Sequence, residues 1–402
     1  MSATITARGR DRAHIAMVGT TTPSHIHPSL ALIRELSERG HRVTYVVGER
    51  LASLVEPTGA EILSFTSLLP DEGDPAGWPS DAYEIMTLYL DEGIRVLPQL
   101  TEALASDRPD LLLHDIGGLA GPVAAAHWGV PSVQLSGVIV AWEGYEADLG
   151  EKLTMLKSSQ VAQRFYARFE SWLAENGIAR RPDDVLSRPD QGVVLIPRVL
   201  QPHSDRVSSA FRFVGPCLDP RRLAERNGWT PPKDGRPLLY ISFGTVFNDQ
   251  LEAFRVCCEA FGGTSWRVVL SIGHRTDPAD LGPLPDNFEA HRTVPQLAVL
   301  QHASAFVTHA GMGSVMEALW FGVPMVAIPQ AVDQYVNAAR IAELGIGRVL
   351  PRDGIGAQTL RDTVAEIARD SSVAERLATI TAEVRARGGA QHGADVVESL
   401  LP

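Results

Sequence analysis

The chain has 402 residues, more than one hydrophobic core usually serves, so two domains are expected. Its composition, 45% hydrophobic and 21% charged, is typical of a soluble enzyme, and no apolar run reaches the roughly 18 residues of a membrane helix. A net charge of −12 without a long basic run argues against nucleic-acid binding. Residues 1–12 lack the apolar core of a signal peptide, and the cysteines have no Cys-x-x-Cys spacing, so we expect a cytoplasmic protein with reduced thiols.

The first half of the chain alternates short apolar runs with helical patterns. Pro28 suits the first turn of a helix over 28–39, and Gly40 suits its end. Such alternation predicts a parallel sheet that is covered by helices on both faces. The predicted strands are 14–18, 41–47, 61–65, 111–114, 132–135 and 193–196, and the predicted helices are 28–39, 83–104, 119–128 and 161–175.

A break in this pattern between 214 and 237, rich in proline, glycine and charge, is interpreted as a linker. The alternation then restarts, and in two doubly wound domains ligands bind at the carboxyl ends of the strands and in the cleft between the domains. The later predicted strands are 238–242, 267–271, 305–309 and 324–328, and the later helices are 251–261, 313–321, 336–344, 360–369 and 373–401. We predict a first domain over 1–215, a linker over 216–236, a second domain over 237–385 and a C-terminal helix over 386–402 that packs toward the first domain.

The most informative segment is 306–337, in which an apolar strand leads through a glycine-rich turn into a helix. His309 ends the strand, and the glycines after it allow a backbone to approach a phosphate closely. The helix presents unpaired amides and its positive dipole end to an anion, and Ser314 adds a hydroxyl donor. The alternative is a plain strand-to-helix turn in which Ser314 and Glu317 form a capping box.

Loops after the first strand of each domain carry further candidates. The loop 242–245 would close over the same phosphates, or would be a simple turn. In the first domain, His25 lies where the first helix opens, and Asp115 ends a strand. Because a helix N-terminus disfavours an imidazolium, we expect His25 to be neutral and able to accept a proton. The alternative is a capping or surface histidine and a turn aspartate.

These segments, in order and spacing, resemble the donor motif of family-one glycosyltransferases of the GT-B fold. The resemblance covers essentially the whole chain and extends to the bacterial macrolide glycosyltransferase subfamily, which includes the oleandomycin glycosyltransferases. The implied fold is α/β, with two doubly wound Rossmann-like domains facing across a cleft. The matching segments are Val294-Pro295-Gln296, Thr308-His309-Ala310-Gly311, Gly313-Ser314, Glu317, Gly322-Val323-Pro324 and Asp333-Gln334.

The resemblance implies a role for each part of the donor motif. One position departs from the family pattern, because Thr293 stands where a tryptophan usually stacks on the base, so both uracil and thymine stay open. The implied donor-binding residues are Ser242, Gly244 and Thr245 in the first loop, Gln296 at the nucleobase with Val294 beside it, Glu317 at the ribose, His309, Gly311, Gly313 and Ser314 at the diphosphate, and Asp333 and Gln334 at the sugar hydroxyls.

The resemblance also implies the catalytic pair. His25 matches the family's general base and Asp115 the carboxylate that orients it, although Ser24 and His27 replace the usual glycine and asparagine. Attack by an acceptor hydroxyl in a single displacement would invert the anomeric carbon. No metal and no cofactor beyond the UDP-sugar co-substrate are expected, because the chain has no Asp-x-Asp and no His/Cys cluster at zinc spacing.

Acceptor contacts are expected from first-domain loops near His25, where apolar residues exceed what the strands need; ordinary core packing is the alternative for each. The candidates are Trp78, Met86, Tyr89, Ser136, Val138 and Trp142. The leading hypothesis is transfer of glucose from UDP-glucose to a macrolide or similar hydrophobic natural product, as in antibiotic self-resistance. A transferase of antibiotic biosynthesis that uses a dTDP-deoxysugar, a non-catalytic binder and a sugar epimerase are alternatives. A homodimer is possible, and no nucleic-acid or membrane partner is expected.

Overall fold

The computed structural model describes residues 12–71, 74, 77–79, 81–226, 228–244, 250–330 and 332–402. Within them, the first half of the chain forms a parallel sheet of seven strands. These are β1 (His14–Val18), β2 (Arg42–Gly48), β3 (Glu61–Phe65), β4 (Leu111–Asp115), β5 (Ser132–Ser136), β6 (Gly192–Val194) and β7 (Phe211–Phe213). The strand order is β3-β2-β1-β4-β5-β6-β7, as expected for a doubly wound sheet.

Helices cover both faces of this sheet. Odd-numbered residues of β1, such as Ile15, pack in one core with the first helix, and even-numbered ones, such as Ala16, pack in another core on the opposite face. This division follows from the alternation of side chains along a strand. The helices are α1 (Pro23–Glu38), α2 (Ala52–Val55), α3 (Ala82–Ala103), α4 (Ala120–Trp128), α5 (Tyr145–Ser158), α6 (Gln160–Glu175) and α7 (Pro182–Leu186).

The first half differs from the sequence-based expectation at several elements, including the short α2, α7 and β7, which were not predicted. Helix α1 begins at Pro23 rather than at Pro28, because Pro23 takes the early position that suits proline and Pro28 lies one turn further in. His25 is therefore within the first turn of α1. Helix α5 was not predicted, since Gly150 interrupts it with a φ of 53° and its apolar spacing is weak.

The predicted linker contains one short helix, α8 (Pro220–Ala224), and the second parallel sheet follows it. Its strands are β8 (Leu238–Ser242), β9 (Arg267–Ser271), β10 (Phe288–His291), β11 (Ala303–Thr308), β12 (Met325–Ala327) and β13 (Gly347–Val349), in the order β10-β9-β8-β11-β12-β13. Its helices are α9 (Leu251–Phe261), α10 (Gln296–Leu300), α11 (Met312–Phe321), α12 (Val332–Glu343), α13 (Ala357–Ile367) and α14 (Ser371–Ala386).

The last helix, α15 (Gly389–Ser399), lies against α1 of the first sheet. Arg39 at the end of α1 bonds to Asp395 at 2.7 Å and to Glu398 at 3.0 Å. The apolar residues Ala394 and Val397 complete the core beneath. In the described part of the chain, no helix has the length and apolar character to span a bilayer.

The strand orders place the two candidate loops of each half side by side. β1 and β4 are neighbours in the first sheet, and β8 and β11 are neighbours in the second. In each sheet the chain leaves these two strands toward opposite sides, which opens a crevice at their carboxyl ends. His25 lies in the first turn of the helix that follows β1, and Asp115 is the last residue of β4. Gly244 and His309 lie in the loops that follow β8 and β11.

Candidate functional site

The carboxyl ends of β1 and β4 bring His25 and Asp115 into contact. Nδ1 of His25 lies 2.8 Å from Oδ1 of Asp115. The same carboxylate oxygen accepts hydrogen bonds from the Thr20 hydroxyl and from the Gly117 amide, the latter at 2.9 Å. Since Asp115 is 5% exposed, three donors to one oxygen fix its position firmly. The pair predicted from the sequence is thus assembled in the structure.

The charges around His25 change its pKa. Burial lowers the pKa of His25, but the charge of Asp115, its hydrogen bond and the charge of Asp333 outweigh burial and raise the pKa above its ordinary value. Burial conversely favours a protonated Asp115, yet His25, Thr20 and Gly117 hold the pKa of Asp115 below its ordinary value. The adjacent carboxylates therefore oppose the effect expected from the helix N-terminus, and a neutral His25 stays a prediction.

A second cluster of predicted site residues surrounds His309, which follows the end of β11. Burial lowers the pKa of His309 to about 4, so the imidazole is neutral at pH 7 and offers one N–H donor. A Cβ at Gly244 would lie 2.6 Å from Nε2 of His309, and a Cβ at Gly311 would lie closer still. Both positions therefore need glycine for the ring to keep its place. This is a more specific reason for these glycines than backbone approach alone.

The turn after His309 is held in a strained form by its neighbours. Ala310 has a φ of 63°, in the left-handed region that costs a non-glycine residue about 1 kcal/mol or more. The amide of Ala310 donates to Thr308 Oγ1 at 3.2 Å, and its carbonyl accepts from Asn337 of α12 at 2.9 Å. Asn337 was not singled out from the sequence, since only the fold brings α12 to this turn.

Helix α11 begins at this turn without a capping side chain. Gly311 is its N-cap, and no described side chain bonds to the first-turn amides. Gly313 and Ser314 both lie in that first turn and remain accessible. An uncapped helix N-terminus beside a neutral imidazole donor is a suitable site for an anion.

Glu317 is held by side chains of the linker and of α10. Its Oε1 pairs with Arg222 Nη2 at 3.0 Å, and its Oε2 accepts from Gln296 Nε2 at 2.7 Å. The Gln296 amide also lies 3.4 Å from Ser314 Oγ and accepts from Tyr240 Oη at 3.0 Å. The capping-box interpretation of Ser314 and Glu317 is wrong, because the carboxylate points to Arg222 and Gln296 instead of to the helix N-terminus.

Asp333 and Gln334 lie in the first turn of α12. The charge of Asp333 contributes to the raised pKa of His25, so this carboxylate lies within electrostatic range of the imidazole. Desolvation raises the pKa of Asp333 itself, although part of its side chain reaches solvent. Gln334 is buried, and its Oε1 accepts from the amide of Gln330 at 2.8 Å.

The predicted acceptor residues divide into two groups. Tyr89 faces His25 edge-on with 5.8 Å between ring centroids, and Met86, one turn earlier on α3, is half-buried. Trp78 and Val138 are also half-buried. Trp142 instead is buried, with Nε1 bonded to Asp148 at 2.6 Å and its ring against Tyr145 and His203. Ser136 Oγ closes a turn by donating to the Val138 carbonyl at 3.0 Å.

Some of the predicted donor-binding residues are not part of the clusters described above. Thr245 lies outside the described residues. Ser242 is buried, with Oγ 3.4 Å from the Gly244 amide. Val294 packs against the core, and Thr293 is exposed. Among the residues that the structure describes, no group of three or more His, Cys, Asp or Glu is arranged to hold a metal ion.

Comparison with known proteins gives this geometry a family. Residues 259–400 match the family described as "Erythromycin biosynthesis protein CIII-like, C-terminal domain". Oleandomycin glycosyltransferase of Streptomyces antibioticus is 44% identical over 394 residues, which cover 97% of this chain and 91% of that protein. The chain therefore belongs to the macrolide glycosyltransferase family. The family membership expected from the sequence is thereby confirmed.

Further relatives agree with the assignment. The NDP-glycosyltransferase YjiC of Bacillus subtilis is 34% identical over 96% of this chain and 97% of its own length. The crystal structure of the glycotransferase of kitacinnamycin matches with a TM-score of 0.89 and 41% identity, covering 97% of this chain and 99% of that chain. The calicheamicin glycosyltransferase CalG4 matches with a TM-score of 0.81 and 34% identity, over 98% and 99% of the two chains. The predicted GT-B fold is confirmed.

Proposed function

We propose that this glycosyltransferase moves glucose from UDP-glucose to a hydroxyl of a macrolide or a similar hydrophobic natural product, with inversion and without a metal. The observation that carries the proposal is the His25–Asp115 pair, with the charge of Asp333 acting on it. The second sheet presents, beside a neutral His309, a helix N-terminus that no described side chain caps. A proton acceptor and an anion site on facing domains are what transfer from a nucleotide sugar requires. Modification of an antibiotic in this way would serve resistance.

The proposed reaction begins at Nε2 of His25. Because Nδ1 bonds to Asp115, the neutral ring carries its proton on Nδ1 and leaves Nε2 to accept the proton of the acceptor hydroxyl. The acceptor oxygen forms a bond to the anomeric carbon while the bond from that carbon to the diphosphate oxygen breaks on the opposite face. The proton ends on His25, where the charge of Asp115 stabilises the imidazolium.

The second domain would stabilise the negative charge of the departing diphosphate. As the diphosphate departs, the amides at the start of α11, the Ser314 hydroxyl and the His309 N–H stabilise its developing negative charge. Glu317 would accept hydrogen bonds from the ribose, and Asp333 with Gln334 would bind the hydroxyls of the sugar. A neutral His309 suits this role because it donates without adding a charge that would hold the product UDP too tightly.

The acceptor would lie against the first domain beside His25. Supporting this are Tyr89, edge-on to the imidazole ring with 5.8 Å between centroids, and the half-buried side chains of Met86, Trp78 and Val138. Apolar surface of this kind favours a bulky hydrophobic acceptor. Trp142 is less suited to direct contact, since its ring is enclosed by Tyr145 and His203; its part in acceptor binding stays a prediction.

A second candidate is transfer of a deoxysugar from a dTDP donor in antibiotic biosynthesis. The observation in its favour is that Thr293, which is exposed, replaces the tryptophan expected to stack on the base, so the base site lacks a strong preference from stacking. Both candidates use the same pair His25 and Asp115. They differ only in the donor.

A mass-spectrometric transfer assay separates the two. The purified protein is offered UDP-glucose or a dTDP-deoxysugar with a panel of macrolides and simple phenols, with and without excess EDTA. We expect a product heavier by one hexose from UDP-glucose and a macrolide, at a rate that EDTA does not change. Product from the dTDP sugar alone would replace the proposed donor, and loss of product in EDTA that a divalent ion restores would contradict metal independence.

A further inference from the structure

The linker helix α8 places a cation against a buried carboxylate of the second domain. Arg222 Nη2 lies 3.0 Å from Glu317 Oε1, and the Glu317 side chain is only 7% exposed. A buried carboxylate without a partner strongly destabilises a fold, so the buried position of Glu317 depends on this ion pair. No sequence pattern indicates this pair, which joins a residue of the predicted linker to one 95 positions later in the chain.

The other oxygen of Glu317 is oriented as well. Oε2 accepts from Gln296 Nε2 at 2.7 Å, and the Gln296 amide is itself fixed by the Tyr240 hydroxyl at 3.0 Å. An ionised carboxylate offers about four lone-pair sites, so these two donors leave acceptor capacity unused. The carboxylate is thus oriented and still able to accept hydrogen bonds from a ligand.

Arg222 is itself placed by a second buried ion pair. Asp219 caps α8 by accepting from the Arg221 amide at 2.9 Å, and its other oxygen accepts from Arg34 Nη2 of α1 at 2.9 Å. Asp219 is 4% exposed, so α8 is anchored to the first domain. Burial and the charge of Arg222 lower the pKa of His27 to about 3, which places Arg222 close to the helix that carries His25.

We propose that Arg222 is a positioning residue of the nucleotide site, which orients the Glu317 carboxylate toward the hydroxyls of the donor's ribose. The inference rests on the proposed function, because it assigns Glu317 to the ribose. It adds that the linker, and not the second domain alone, completes the site. Arg222 acts on the nucleotide through Glu317 and takes no part in the proton transfer at His25.

The test is a set of variants measured by calorimetric UDP binding and by steady-state kinetics. Arg222→Met keeps the aliphatic stem but removes the cation, and we expect the Kd for UDP and the KM for the donor to rise by roughly tenfold or more. The kcat at saturating donor should stay within about threefold, since the interaction is the same in ground and transition states. Arg222→Lys should recover part of the affinity.

Two comparisons separate this role from general destabilisation. Arg221→Met alters an exposed arginine of the same helix and should leave the Kd for UDP unchanged. In a Glu317→Gln background, Arg222→Met should add little further loss, because both changes interrupt one interaction. Thermal unfolding of each variant checks its folding, and Arg222→Lys serves if Arg222→Met does not fold.

Equal UDP affinity in Arg222→Met and Arg221→Met would overturn the proposal, as would additive losses in the double variant. A fall in kcat with unchanged donor KM would also overturn it. The same titrations with dTDP keep the proposal separate from the choice of donor. If the wild type binds dTDP and not UDP, the proposed donor fails while Arg222 is still tested with dTDP.

Discussion

At the scale of single residues, His25 and Asp115 shift each other's titration in opposite directions. The pKa of His25 is raised and that of Asp115 lowered by their mutual charge and hydrogen bond, in spite of burial. Thr20 and Gly117 reinforce the ionised form of Asp115. The base is consequently a stronger one than a free histidine, but more of it is protonated near neutral pH.

This coupling predicts a particular pH dependence. Since a raised pKa means that the base form appears only above it, kcat/KM of the wild type should rise with pH through a value above 6.5. In Asp115→Asn the carboxylate charge is lost, so this limb should move to lower pH, while kcat falls on the order of 10²–10⁴-fold. The measurement is a pH–rate profile for both proteins.

The matched control is Asp107→Asn, which removes a carboxylate that is 56% exposed from the same domain. Its profile should overlay that of the wild type. An Asp115→Asn variant with the acid limb in its original position would show that Asp115 does not set the titration of the base.

At the scale of elements, the β11–α11 turn depends on the space around His309. A Cβ at Gly311 would overlap Nε2 of the imidazole, although the backbone there, with φ of −60° and ψ of 140°, suits any residue. Gly311→Ala should therefore displace the ring without straining the chain. We expect the donor KM to rise by roughly tenfold, the size of one lost charge-assisted hydrogen bond, as measured by initial rates.

Gly356→Ala is the control for this variant. Gly356 precedes α13 in the same domain and has a similarly extended backbone. A Cβ added at Gly356 would lie 3.9 Å from the nearest atom, Oγ1 of Thr359. It should keep the wild-type donor KM. Unchanged donor KM in Gly311→Ala as well would mean that the position of His309 does not matter for donor binding.

The sequence predicted the elements that carry strong patterns. Strands such as β1 and β8 are short buried apolar runs, and the turn at His309 has a local signature, so both could be recognised. Helix α5 and the short strands β7 and β13 have too little periodicity to be recognised. Arg222 and Asn337 could not be found, because each matters only through a contact that the tertiary fold creates.

At the scale of the molecule, the two sheets share one design. Each has its crevice at the carboxyl ends of two neighbouring strands, β1 and β4 in the first and β8 and β11 in the second. The linker helix α8 and the last helix α15 both bind back to α1, through Asp219 with Arg34 and through Asp395 with Arg39. Helix α1, which carries His25, is thereby fixed by two segments outside its own sheet.

The central claim is that an acceptor oxygen displaces the nucleotide from the opposite face of the sugar, with His25 as base. Proton NMR of the glycoside formed from UDP-glucose, whose sugar is α-linked, tests it most directly. We predict a β-glycoside, recognised by the large coupling of its anomeric proton, and no product from His25→Ala even though that variant still binds UDP. An α-glycoside, or product formed by His25→Ala at the wild-type rate, would contradict the account.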